Sequence, residues 1–380
     1  MKTIELVFFD AGGGHRSAAN ALCEVSRREQ RPWDMQMMNL QELLDDLDVF
    51  RKITGIRFQD IYNLMLRKGW TLGSKQMLAP MHAIIRMFHP QQVKGLERYW
   101  AQKKPDLVVS VVPNFNRALF EAKQKALPDV PFVTILTDMA DYPPHFWLER
   151  QGPHYVICGT ERAREQALEL GHAPERVFLV SGMILNPRYY DVAPVDREAE
   201  RVKLGLDPKL PTALMMFGGA GSSRMVEITQ RLNDSGLEMQ MIAVCGKNDK
   251  LETALRGLQG KVRTHVAGFT NEVPRYMQLA DFFIGKPGPG SISEAVAMGL
   301  PVIVETNAWT LPQERFNAEW VTEKGVGISL GSFSRGIVEA TRKMLDPVEH
   351  AGFAARVAGM KNRAVYEIPD ILEGILGKTL

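Results

Sequence analysis

The sequence predicts an α/β protein built from two doubly wound parallel sheets, and three observations carry that expectation. The chain has 380 residues, which suits two domains of ordinary size better than one. Short β-branched or apolar runs recur along it, each followed by a helical pattern, as βαβ units require. Three of those runs end in glycine-rich loops that lead straight into a helix.

Strands are expected in the first half at Ile4 to Phe9, Met35 to Leu40, Leu107 to Val112, Phe132 to Leu136, Tyr155 to Cys158 and Val177 to Val180. The first helix shows Ala18, Ala21, Leu22 and Val25 on one face. In the second half the candidates are Ala213 to Phe217, Met239 to Val244, Val262 to Val266, Phe282 to Ile284 and Val302 to Val304. Pro187 and Pro194 lie in a segment without periodicity, Asn186 to Glu198, which reads as the connector. The expected domains are therefore residues 1–185 and 195–360, with 361–380 a C-terminal helix that could return to the first domain. Ligands of such sheets sit beyond the carboxyl ends of the strands, so the loops after strands are where chemistry is sought.

With 45% hydrophobic residues and 24% charged, the chain can bury real cores, which excludes intrinsic disorder. A net charge of +2 gives no global field for nucleic acid. Cys23, Cys158 and Cys245 are far apart and lack CxxC spacing, so neither a disulfide framework nor a cysteine zinc site is expected, and a reducing cytoplasm fits. Ile4 to Phe9 is too short and too acidic for a signal peptide, and no run approaches the ~18 apolar residues of a spanning helix.

One segment breaks the alternation. Between Asp48 and Glu97 lie eight basic residues, among them Arg57 and Arg67, against the single acid Asp60, interleaved with Tyr62, Trp70 and other large apolar side chains. Cationic amphipathic helices of this kind suit an anionic bilayer surface. Ordinary helices packed on the sheet with a solvated basic face would give the same pattern.

In the first glycine loop, Asp10 to Ser17, Gly13 and Gly14 let the backbone approach a ligand, and the helix start offers unpaired N–H groups. Ser17 stands where the dinucleotide fingerprint needs glycine or alanine, so a nicotinamide enzyme is disfavoured. His15, at the positive end of the helix dipole, is kept neutral and proton-accepting, which suits a general base; capping or packing is the other reading. The second loop, Phe217 to Ser223, offers Gly218, Gly219, Gly221 and Ser222 to a phosphate, or is a tight turn without a ligand.

In the third loop, Gly285 to Ala295, Lys286 supplies a point charge and the amides around Gly288, Gly290 and Ser291 supply donors, so a leaving diphosphate could be stabilised without a metal. Ser291 and Glu294 also match a capping box, the alternative to a ribose-binding role for Glu294. After the last strand, Gln313 and Glu314 can bind sugar hydroxyls, or simply begin a polar helix. Thr137 to Trp147 could shape the acceptor side or pack. Asp46-Leu47-Asp48 spells DxD but lies at no clear strand end, and reads as a solvated face.

GGGHRSAA (Gly12 to Ala19), GPGS-x-SEA (Gly288 to Ala295) and PQE-x-x-N (Pro312 to Asn317) resemble the monogalactosyldiacylglycerol synthases and processive diacylglycerol glucosyltransferases. These are GT-B glycosyltransferases related to MurG. The resemblance implies inverting transfer of galactose or glucose from a UDP-sugar to diacylglycerol, giving a β-linkage, at the cytoplasmic face of a membrane and without a cofactor or metal. It implies His15 as the acceptor-activating base, Gly268, Phe269 and Thr270 beside the uracil, and Glu294 on the ribose. Lys286 and the amides near Ser291 would hold the diphosphate, Gln313 and Glu314 the hexose, and Arg57, Tyr62, Arg67, Trp70 and Trp147 the membrane or acceptor. One departure stands out: where the family often has GLPIRP, this chain reads Gly182-Met183-Ile184-Leu185-Asn186-Pro187, so the arginine is missing, with Arg188 as a substitute. A UDP-sugar 2-epimerase, or a transferase acting on a polyprenyl-linked or soluble acceptor, would use the same architecture.

Overall fold

The computed structural model describes residues 1–10, 13–45, 87–150 and 152–377. The expected membrane-facing residues Arg57, Tyr62, Arg67 and Trp70, the Asp46-Leu47-Asp48 triplet and Gly12 lie outside these. The chain divides into two compact units: residues 1–187 with 311–313 and 362–380, and residues 188–310 with 314–361.

The first unit runs β1 (Lys2–Phe8), α1 (Gly14–Arg28), β2 (Trp33–Asn39), α2 (Leu40–Asp45), α3 (His89–Lys103), β3 (Leu107–Ser110), α4 (Asn116–Ala126), β4 (Phe132–Ile135), β5 (Tyr155–Cys158), α5 (Glu161–Glu169) and β6 (Val177–Leu179). Its sheet has the order β2-β1-β3-β4-β5-β6, parallel throughout. Strands covered on both faces are predominantly apolar, and β3 and β4 are buried along their whole length, with Ser110 and Thr134 as their polar members. The chain leaves β1 toward β2 on one side and returns to β3 on the other. That reversal makes a topological switch point between β1 and β3, where the loops diverge and leave a crevice.

The second unit runs α6 (Arg197–Lys203), β7 (Thr212–Met216), α7 (Arg224–Asp234), β8 (Gln240–Val244), α8 (Asp249–Arg256), β9 (Arg263–Ala267), α9 (Val273–Leu279), β10 (Phe282–Gly285), α10 (Pro289–Ala297), β11 (Val302–Glu305), α11 (Arg315–Lys324), β12 (Gly327–Leu330), α12 (Phe333–Leu345) and α13 (Pro347–Gly359). The strand order β12-β11-β10-β7-β8-β9 places the switch point between β7 and β10. Both remaining glycine loops leave the sheet there. β12 was not expected from the sequence: it is a four-residue edge strand that opens on glycine, and a Cβ at Gly327 would lie 1.9 Å from the Val302 carbonyl oxygen.

The last helix, α14 (Ala364–Gly377), belongs to the first unit and packs on α1. Arg31 holds it by ion pairs to Asp370 and, at 2.6 Å, to Glu373.

Candidate active site

In the first unit, α1 begins without a side-chain cap: Gly13 takes a left-handed conformation (φ 81°) and the Ser17 amide returns to its carbonyl. The preceding amides of the first turn therefore have no helical acceptor. Asp10 is ion-paired with Arg16 across this turn. His15 stands at the same point, half-buried, with Nδ1 3.0 Å from the Thr137 hydroxyl and its ring 5.8 Å from that of Trp147. Burial pushes the imidazole down to about 4, outweighing a backbone hydrogen bond at Val111 that favours the charged form. It is neutral at every pH where proteins ordinarily work.

The loop behind His15 is built by two aspartates. Asp141 accepts the amides of His145 (2.9 Å) and Trp147 (2.6 Å), and Asp138 accepts the indole N–H of Trp147 (2.9 Å). Asn116 ties the loop to the sheet by donating to the Trp147 carbonyl (2.9 Å) while accepting from Ser110 (2.6 Å). Trp147, expected on the membrane or acceptor side, is only 1% exposed. Of the two readings offered for this stretch, acceptor side or packing, the burial of Trp147 favours packing, with its indole N–H donated to Asp138 and its ring tilted against that of His15. Sequence reasoning offers Thr137 to Trp147 only as a stretch that could shape the acceptor side or pack, and gives Thr137, Asp138 and Asp141 no individual roles. The available signal was aspartate repeated around Tyr142-Pro143-Pro144, a composition that favours side chains hydrogen-bonded to nearby amides.

In the second unit, the loop after β7 is fixed by the loop after β8. Lys247 donates its amide to Gly219 (2.8 Å) and Asn248 its side chain to Ala220 (3.2 Å), so these carbonyls are occupied. Gly221 is left-handed (φ 61°), and a Cβ there would stand 2.6 Å from the Cys245 carbonyl oxygen. Gly218 is left-handed as well (φ 76°), and the Ser222 hydroxyl accepts the Arg224 amide (3.3 Å). Arg224 in turn grips buried Glu305 at the end of β11 (2.8 Å).

The loop after β10 ends in Gly288, and α10 starts at Pro289 with no side-chain cap. Proline has no N–H to leave unpaired, so Gly290 and Ser291 provide the free first-turn amides. The capping box, the alternative reading of Ser291 and Glu294, is not formed: the helix begins two residues before Ser291, and the Glu294 carboxylate instead accepts the Tyr189 hydroxyl with Arg188 close by. Burial raises the Glu294 carboxyl to about 7, against the lowering effects of Tyr189 and Arg188. Tyr189 itself is buried and its hydroxyl is pushed well above the usual phenol range, first by burial and then by the Glu294 charge. Sequence reasoning had no means of pairing a connector tyrosine with a helix more than a hundred residues away.

Lys286 Nζ donates to Glu314 Oε1 at 2.7 Å, and the lysine stem passes Gly218 and Gly288. Asn317, fully buried, donates to the Pro287 carbonyl (2.7 Å) and so fixes the start of α11 against this loop. Gln313 lies in the turn Pro312–Glu314 that precedes α11. Phe269 is 64% exposed with the Lys247 ammonium 4.9 Å from its ring centre, while the Thr270 hydroxyl accepts the Glu272 amide. Among the described residues no three His, Cys, Asp or Glu side chains are grouped so as to hold a metal ion.

Two doubly wound parallel sheets, each with an uncapped glycine-bordered helix start at its switch point, give the GT-B two-domain architecture. Residues 15–182 match the family described as monogalactosyldiacylglycerol (MGDG) synthase, and residues 213–349 the glycosyltransferase family 28 C-terminal domain. A probable monogalactosyldiacylglycerol synthase 2, chloroplastic, of Oryza sativa subsp. japonica is 29% identical over 90% of this chain and 73% of its own length. Among solved structures, MurG of Acinetobacter baumannii superposes with TM-score 0.61 at 13% identity, over 98% of this chain and all of its own. UDP-GlcNAc 2-epimerase of Neisseria meningitidis gives 0.62 at 13% identity, with the same coverage. Along most of its length the chain is thus similar to the monogalactosyldiacylglycerol synthases and to the glycosyltransferase family 28 C-terminal domain, and it shares the two-domain fold of MurG.

Proposed function

We propose that this chain transfers a hexose, galactose or glucose, from a UDP-sugar to the hydroxyl of diacylglycerol with inversion, giving a β-glycosyl lipid. The observation that carries the reading is His15: a neutral imidazole at a helix start, aimed by Thr137 and backed by Trp147. In the reaction the imidazole takes the proton of the acceptor hydroxyl as its oxygen attacks the anomeric carbon. The bond from that carbon to the diphosphate breaks, and UDP leaves with the electron pair. The donor is held by the amides of Gly290 and Ser291 and the Lys286 ammonium at the diphosphate, by Glu294 at the ribose, and by Gln313 and Glu314 at the hexose. Preorganised donors of this kind stabilise a departing anion. Uracil is placed beside Phe269.

The names of the sequence relatives favour galactose. The near-equal structural likeness to an epimerase and to MurG does not choose between those chemistries; the kinship in sequence to synthases favours transfer. We further propose a peripheral position on the cytoplasmic face of the membrane, with Arg57, Tyr62, Arg67 and Trp70 meeting anionic lipid. Among the described residues no helix is long and apolar enough to cross a membrane.

The test is incubation of the protein with labelled UDP-galactose or UDP-glucose and diacylglycerol liposomes, with EDTA in a parallel arm. Labelled β-glycolipid, undiminished by EDTA, is expected. Absence of product with either donor refutes the reading, and an epimerised nucleotide sugar formed without acceptor moves the chain to the isomerases.

A further inference from the structure

We propose that the Lys286–Glu314 ion pair is an exchange device that makes the donor site prefer a nucleoside diphosphate carrying a hexose over the bare nucleoside diphosphate. This rests on the reading of the second unit as the donor site and deepens it. The two side chains assigned to different parts of the donor hold each other at 2.7 Å.

Their freedom is unequal. The Lys286 side chain is 40% exposed and flexible, whereas Glu314 is 11% exposed and lies one residue before α11. Asn317 anchors that helix start to the Pro287 carbonyl, so the glutamate cannot withdraw without breaking a buried bond. The lysine stem passes the glycines of both loops at the switch point: Cβ atoms on Gly218 and Gly288 would come within 3.6 Å and 3.4 Å of its Cε. A point charge on four carbons can swing toward a phosphate; a carboxylate on an anchored turn cannot follow.

Drawing Lys286 to a diphosphate therefore leaves the Glu314 carboxylate short of a donor in a nearly buried place, and beside new negative charge. Hexose hydroxyls restore the lost donors. A bare diphosphate restores none. The pair thereby penalises the product that remains once the sugar has gone, and its re-formation favours release of UDP. A charged group left short of one partner weakens binding by about tenfold.

The experiment is calorimetric titration of the full chain and of Glu314→Gln and Lys286→Met with UDP and with UDP-galactose. Glu314→Gln keeps the shape but removes the stranded charge. UDP is expected to bind it about tenfold more tightly than it binds wild type, while UDP-galactose binds more weakly, so that the preference for the sugar nucleotide collapses. Lys286→Met should weaken both ligands. Ligand-induced shifts in melting temperature repeat the comparison and show whether each variant is folded. If Glu314→Gln changes both affinities by one common factor, or neither, the exchange is refuted while the donor site stands. If wild type binds neither UDP nor UDP-galactose, the donor-site reading falls and the exchange falls with it.

Discussion

If His15 is the base, the acid limb of the pH profile of transfer should lie far below the place an ordinary histidine would put it. Burial holds this imidazole at about 4, and a base works only in its neutral form. At pH 5 a group of that pKa is still about 90% neutral, whereas an unperturbed histidine near 6.5 would be only about 3% neutral. Activity at pH 5 should therefore remain within about 10% of its value at pH 7, instead of falling about 25-fold. The quantity to measure is kcat/KM for the lipid at saturating UDP-hexose, in neutral liposomes. Saturation confines the titration of Glu294, raised to about 7, to donor affinity. His15→Ala should lower turnover by about 10² to 10⁴ while UDP affinity is kept. A limb near pH 6.5 in wild type that disappears in a variant of another residue, or unaltered turnover in His15→Ala, would remove His15 from the chemistry.

Two further outcomes concern stability. Gly221→Ala places a Cβ against the Cys245 carbonyl at a left-handed φ and should cost at least about 1–2 kcal/mol in denaturant unfolding, whereas Gly219→Ala, with open space around it, should change it by less than about 0.5 kcal/mol. His154 is buried beside His172 (ring centres 4.7 Å apart) and is pushed down to about 3, first by burial and then by the neighbouring charges of His172, Arg176 and Lys123. Between about 3 and 6.5 the unfolded chain binds the proton that folded His154 refuses, so stability is complete above pH 6.5 and drains as pH falls. The loss at pH 5 should reach about 2 kcal/mol and should be absent from His154→Leu; equal pH dependence of the two proteins in guanidinium unfolding would contradict it.

The parallel strands were legible because a doubly covered strand is apolar without interruption: Tyr155–Cys158 was read to the residue, and the others within one or two. β12 was not, since Gly-Ile-Ser-Leu at a sheet edge carries too little apolar signal and its glycine reads as a break. The glycine loops were visible as composition. What composition cannot express is which partner a side chain finds once the chain has folded back. Ser291-x-x-Glu294 spelled a capping box, yet Pro289, favoured at a first helical position, moved the start of the helix and left Glu294 to Tyr189. The individual supports of His15 are hidden for the same reason: within Thr137 to Trp147 nothing in the sequence tells that Asp138 and Asp141 each hold Trp147 in place.

Placing α14 in the first unit makes that unit discontinuous along the polypeptide. The Ser181 amide waits for Glu367 (2.7 Å), the Met183 carbonyl for Asn362 (2.9 Å), and the Arg31 guanidinium for Asp370 and Glu373. During biosynthesis the amino-terminal sheet is made early, but these contacts cannot close until the ribosome has translated the entire second sheet and released the final helix. The newborn first unit must therefore spend that interval with the seat of α14 on α1 unfilled.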